Sequence, residues 1–209
     1  VADALAAGAD EQDVVVAVGG GSAIDLAKSV AALVMNRHGK SVRDFLEGVG
    51  RGLTLDFPPL PIVALPTTAG TGSEATRNAV ISSQDPPFKK SLRHERLVPS
   101  AVLLDPELTI SCPREVTAHS GMDAITQLIE SWLSRRANPF TRALCREGLS
   151  RALPALAMAV ADGTHRPARE ALSYAAFLSG VALANSGLGL AHGLVRTVFG
   201  DLSLQLMVS

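Results

Sequence analysis

Cysteine is scarce in this chain of 209 residues: only Cys112 and Cys145 occur, far apart and in no CxxC pattern. That excludes a disulfide framework and a thiolate zinc site, and it suits a reducing cytoplasm. An excess of charge of one sign is missing too. With 19 Lys and Arg against 20 Asp and Glu, the formal net charge is −1, which leaves no electrostatic footprint for nucleic acid or an anionic membrane. The expected partner is a small molecule or another copy of the chain. The N-terminus lacks the basic and apolar regions of a signal peptide. Val1 and the Ala-rich acidic stretch after it read as a cut, with native sequence expected before it.

Charge is absent altogether between residues 171 and 195, a run long enough for a transmembrane helix. Its Ser173, Ser179, Asn185, Ser186, His192 and several glycines instead suit a close-packed buried helix, a turn and a second helix. With 47% hydrophobic residues, the chain has ample material for a core in one large domain or two small ones.

What is present divides near residue 110. Residues 13–18 form an apolar β-branched run that stops at Gly19-Gly20-Gly21, and residues 22–35 carry apolar positions at helical spacing. Strand, glycine turn and helix follow one another. A short helix is expected at 42–47, a second buried strand at 62–65, and further strands at 79–82 and 101–104. After Pro113 no convincing strand is seen. Helices are expected at 113–119, 122–134, 140–160, 167–185 and from 190 onward, the third kinked at Pro154.

Three segments carry candidate chemistry. A strand, Gly-Gly-Gly-Ser and a helix bring exposed backbone N–H groups and a helix N-terminus to one point, where a pyrophosphate binds well. Glycines also occur in such turns for local reasons, and neither GxGxxG nor the GxxxxGK[ST] phosphate loop is present. A second Gly/Thr loop, Pro66-Thr67-Thr68-Ala69-Gly70-Thr71-Gly72-Ser73-Glu74, follows another strand. Two such loops would line one crevice at the carboxyl ends of neighbouring parallel strands, unless the hydroxyls only satisfy turn backbone. In the third segment Asp123, Gln127 and Glu130 make one polar stripe on a helix. The stripe faces a cavity, or it is a solvated face with Ser120 and Asp123 at capping-box spacing. His192 stands in Gly-Leu-Ala-His-Gly, where an imidazole needs a hydrogen-bond partner or a metal.

In order and spacing these segments resemble the iron-containing (group III) alcohol dehydrogenases. Gly19-Gly20-Gly21-Ser22 with Asp25 and Lys28 is similar to that family's GGGSxxDxAK segment, and Pro66 to Glu74 to its PTTAGTGSE segment. Asp105-Pro106-Glu107-Leu108-Thr109, Gly121-Met122-Asp123-Ala124 and Ala137-Asn138-Pro139 continue the match.

The resemblance implies an α/β nucleotide-binding domain with an incomplete Rossmann-like parallel sheet over residues 1–110. An incomplete all-helical metal-binding domain would occupy 111–209. It implies NAD or NADP and one divalent metal, iron or zinc. Gly20, Gly21 and Ser22 would contact the pyrophosphate, and Thr67, Thr68, Thr71, Thr76, Asn78 and Lys89 would line the rest of the cofactor site. Asp123 and His192 match metal ligands, with Gln127 where most members have histidine. An amide oxygen binds hard cations but is a poorer ligand than imidazole for zinc or iron. The family's last metal histidine finds no counterpart after Gly193, and the strand that distinguishes NAD from NADP is expected before Val1. The implied activity is hydride transfer between an alcohol and an aldehyde or ketone. The alternative is a truncated, non-catalytic remnant that binds nucleotide or associates with related subunits. The related cyclising lyases share the fold but not these segments. Little activity is expected of the 209 residues alone.

Overall fold

A computed structural model describes residues 2–187. After a short helix α1 (Ala2–Ala6), strand β1 (Val15–Gly19) passes through the glycine turn into α2 (Gly21–Met35). Strands β2 (Ile62–Pro66) and β5 (Ala101–Val102) join β1 in a parallel sheet of order β1-β2-β5, with Val15 opposite Ile62 and Gly19 opposite Pro66. In sequence between β2 and β5 comes a separate antiparallel hairpin, β3 (Asn78–Gln84) with β4 (Pro87–Arg93).

Helix α2 is sandwiched because it has two apolar sides. Ile24, Ala31 and Val34 pack on Ala17 and Ile62 of the sheet, while Ala32 and Leu33 meet Ala79 and Leu92 of the hairpin. The opposite face of the sheet carries exposed Val16, Val18 and Leu103.

The helices that follow are α3 (Arg114–Leu133), α4 (Pro139–Ala161) and α5 (Arg166–Ser186). Their core is built largely of alanine: Ala124, Ala152, Ala155, Ala159, Ala168, Ala175 and Ala176 are buried around Ile125 and Leu172. Such small side chains let the helices approach closely and leave little slack. Helix α4 opens on a capping box in which Asn138 and Thr141 cap each other, with Pro139 in the first turn. It runs on through Pro154 as one helix.

Three expectations are corrected. Residues 113–119 and 122–134 form one helix, not two. Gly121 packs against Leu156 there, and a Cβ would stand 2.5 Å from Leu156 Cδ1, so the leucine would have to turn aside. Ser120 and Asp123 therefore lie inside a helix, so the capping-box reading fails. The strand β4 was not expected from the sequence; Lys90 stands between Phe88 and Leu92 on the same face and obscures its apolar pattern. The short helix at 42–47 is a 3-10 turn, Val42–Phe45, closed by a Ser41–Asp44 capping box. No helix among the described residues is long and apolar enough to cross a membrane. The helix expected from residue 190 lies outside the described residues.

Candidate nucleotide and metal site

The two glycine-containing loops lie side by side because their strands are neighbours. Thr67 N donates to Gly19 O at 2.9 Å, carrying the pairing of β1 and β2 one step beyond the sheet. Gly19 has φ +151°, which disfavours any side chain, and a Cβ there would stand 2.6 Å from Ala23 Cβ. Gly20 caps α2 in extended conformation with no side-chain hydrogen bond. The first N–H groups of the helix, on Gly21 and Ser22, thus have no acceptor inside it. Threonine hydroxyls meet this point. A Cβ on Gly20 would lie 3.2 Å from Thr68 Oγ1, and one on Gly21 would collide with the Thr71 hydroxyl. Gly20, Gly21, Thr67 and Thr68 are partly exposed, and Ser22 and Thr71 open to solvent. Free N–H donors, hydroxyls and the positive end of a fifteen-residue helix converge on one accessible spot, an arrangement whose chemistry fits a pyrophosphate.

The same Thr-rich loop is wedged against the helices on its other side. Ala69 is buried within their alanine core. Gly70 rests on α3, where a Cβ would stand 2.6 Å from Ser120 Cβ. Gly72, at φ +61°, lies backbone to backbone on Gly180 of α5, and a Cβ on Gly72 would be 2.6 Å from Gly180 N. One loop therefore touches the glycine turn and the two helices that carry Asp123 and Ser179.

Beneath the loop is a buried charge cluster whose structural role the sequence did not disclose. Lys28 is fully buried, and its ammonium donates to Ser73 O at 2.6 Å, Thr76 O at 2.7 Å and Asn78 O at 3.0 Å. The three hydrogens of one side chain thus fix the exit of the Thr-rich loop to α2. Asp25 accepts from the Ser73 hydroxyl and, at 3.0 Å, from Val80 N. Desolvation lowers the Lys28 pKa to about 8 against the attraction of Asp25 and Glu74, and it raises the pKa of both those carboxyls. The buried Thr76 hydroxyl lies within this network. Asn78 contributes its carbonyl to Lys28. Lys89 is exposed on β4 opposite Ser82, and its charge helps to hold the Asp25 carboxyl down. The sequence signals for the lock were a Lys and an Asp one helical turn apart on a helix with two apolar sides, and their place in the GGGSxxDxAK-like segment.

The polar stripe on α3 turns inward: Gln127 and Glu130 are buried and Asp123 is partly so. A solvated face is thereby excluded. The reason lies in how α3 meets α5. Arg169 donates to Thr117 Oγ1, Ser179 to Gln127 and Ser134 to the Ser186 carbonyl, each pair 52 residues apart. A constant offset means that the two helices run parallel, joined by the returning α4, with a seam of polar contacts between them. On that seam Gln127 Nε2 donates to Asp123 Oδ2 at 2.9 Å, and Ser179 Oγ donates to Gln127 Oε1 at 3.0 Å. Asp123 and Gln127 are thus brought together. Among the described residues no group of three His, Cys, Asp or Glu side chains stands ready for a metal, and His192 lies outside them. An oxygen-seeking divalent ion finds one carboxylate here and one amide whose oxygen is already engaged. Ser179 was not singled out as a site residue; its only signal was a polar residue within an uncharged helix.

A parallel α/β unit with two glycine-containing loops side by side, followed by a helical unit carrying inward polar residues, defines a two-part architecture that can be compared with known proteins. Residues 1–106 match the model of iron-containing alcohol dehydrogenases, and residues 117–204 match that of the C-terminal part of the same family. The chain belongs to the iron-containing alcohol dehydrogenase family. It is 38% identical over 193 residues to the NAD-dependent methanol dehydrogenase of Bacillus methanolicus, covering 92% of this chain and 49% of that protein. Identity to alcohol dehydrogenase 4 of Saccharomyces cerevisiae is 36% over 188 residues, 90% of this chain and 48% of the relative. Among solved structures, 1,3-propanediol oxidoreductase superposes with a TM-score of 0.82 at 36% identity, over 96% of this chain and 51% of that one. Sulfoacetaldehyde reductase from Bifidobacterium kashiwanohense, solved in complex with NAD+, gives 0.80 at 32% identity over 88% and 49%. The chain spans about half the length of the relatives it matches.

Proposed function

We propose that this chain forms the nucleotide-cradling and metal-bearing part of an NAD(P)-linked oxidoreductase that interconverts an alcohol with an aldehyde or ketone. The carrying observation is the Thr-rich loop, which packs on the Gly20-Gly21 turn at one side and on α3 and α5 at the other. Gly20, Gly21 and Ser22 receive the pyrophosphate on backbone N–H groups. Thr67, Thr68 and Thr71 line the path beyond it, and Lys89 adds a positive charge beside it. Thr76 and Asn78 hold the loop in place through Lys28. Asp123 supplies an anionic oxygen for a divalent ion, with Gln127 and His192 as its companions. When bound, the nicotinamide carries hydride, and iron or zinc polarises the substrate oxygen as a Lewis acid. The chain's own task is orientation, since the loop is packed against both the turn and the helices that carry Asp123 and Ser179. The relatives' names support an alcohol or aldehyde substrate and NAD. The unpaired Cys112 and Cys145 suit a reducing cytoplasm.

NADH fluorescence tests the cradle. Gly21→Val drives a side chain into the Thr71 hydroxyl and is expected to weaken NADH binding about fivefold or more, as overpacking of about 1–3 kcal/mol implies. Unchanged affinity would remove Gly21 from the site. A second reading, a nucleotide-binding remnant without metal chemistry, is favoured by the engaged Gln127 oxygen. Nucleotide binding together with no Asp123-dependent uptake of iron or zinc would establish it.

A further inference from the structure

Ser179 has one hydroxyl hydrogen and two acceptors in reach: Ala176 O at 2.7 Å and Gln127 Oε1 at 3.0 Å. Only one can be served at a time. When the hydrogen points to Gln127, the amide oxygen is occupied and the amide N–H faces Asp123 Oδ2. In that arrangement Gln127 offers a cation no lone pair on the side of Asp123. When the hydrogen points to Ala176, the Ser179 oxygen becomes an acceptor. The amide must then turn over to donate to it, which brings the amide oxygen to the position 2.9 Å from Asp123 Oδ2. Two oxygens so placed repel each other unless a cation lies between them. Donor atoms at about 2.1 Å from one octahedral ion stand about 3 Å apart along an edge, so the spacing already suits a shared ion.

Both arrangements satisfy the amide and the hydroxyl, and they differ in the sign of charge they welcome beside Asp123. We infer that Gln127 is a two-state ligand and Ser179 the positioning residue that sets it: the amide turns its nitrogen to Asp123 without an ion and its oxygen to the ion when one binds. The inference rests on the metal reading given above and adds what Ser179 does for it. It also makes this part of the site an oxygen site, where a histidine at position 127 would make it a nitrogen site.

A double-mutant cycle read by Mn2+ affinity in calorimetry tests this on the full 209-residue chain. Removing a group that orients a metal ligand typically costs ten- to a hundredfold in affinity, so Ser179→Ala is expected to weaken Mn2+ binding by about tenfold or more. Gln127→Glu presents oxygen on both sides and needs no orienting. In that background the added Ser179→Ala is expected to change affinity by less than about threefold, leaving a coupling that a general structural role would not give. Equal effects of Ser179→Ala in both backgrounds, or none in either, would overturn the inference while Mn2+ binding lost on Asp123→Ala still upheld the metal reading. Wild-type binding that survives Asp123→Ala, or no binding at all, would overturn both.

Discussion

The two sides of the Thr-rich loop solve the same problem with opposite materials. On the α/β side the candidate site is built from backbone: N–H groups at the start of α2, glycines that allow the loops to touch, and a buried lysine holding carbonyls. On the helical side it is built from side chains that reach across a seam between α3 and α5. A backbone site tolerates no added Cβ but hardly depends on which side chains surround it. A side-chain site can lose its chemistry to one atom's change while the fold stands. Gln127 and Ser179 meet through side chains alone, whereas a Cβ on Gly21 or Gly72 would collide with its neighbours and one on Gly20 would crowd Thr68.

Lys28 is the strongest place to break that contrast. Lys28→Met keeps the bulk but leaves the Ser73, Thr76 and Asn78 carbonyls and the Asp25 and Glu74 carboxyls without their buried cation. A loss of about 3–5 kcal/mol is expected, as when one charge of a buried cluster is removed and its partners are left uncompensated. Urea unfolding checks it, and a midpoint within error of wild type would show that the cluster is ornamental.

Gly180→Ala is expected to cost about 1–3 kcal/mol by overpacking and also to weaken NADH binding, because its Cβ pushes Gly72 and the loop away from α5. A stability loss with NADH affinity untouched would mean that the loop's two faces are not coupled.

The smallest expected effect is in pH. The folded-state pKa of Lys28, about 8, lies below its ordinary 10.5, so between these values the unfolded chain binds more protons and this group's contribution to stability rises with pH. The buried Cys145 thiol, whose pKa is raised by burial, acts in the opposite sense as pH passes its ordinary value. In a Cys145→Ala background the urea midpoint should therefore rise from pH 8 to pH 10. A fall over that range would contradict a folded-state Lys28 pKa below its ordinary value.

Most of the nucleotide side was legible in sequence because its signals are local. The apolar run at 15–18, the glycines and the helical spacing after them each follow from short-range chemistry, and the repeat of that pattern at 62–74 implied adjacent loops. The hairpin strand β4 was hidden because Lys89, Lys90 and Ser91 sit between Phe88 and Leu92. On the helical side, local signals misled. Ser120-Gly121 looked like a helix start, yet Leu156 packs directly over Gly121 and α3 runs through. The parallel register of α3 with α5 depends on α4 returning between them, so the meeting of Gln127 with Ser179 has no local trace.

The burial of Lys28 also has a chemical consequence. The chain has four lysines, Lys28, Lys40, Lys89 and Lys90, and only Lys28 has its amine sealed from solvent. A water-borne acylating reagent reaches the other three on the folded protein. It reaches Lys28 only in molecules whose loop has lifted from α2, so acylation of that one amine records how often the cradle comes apart.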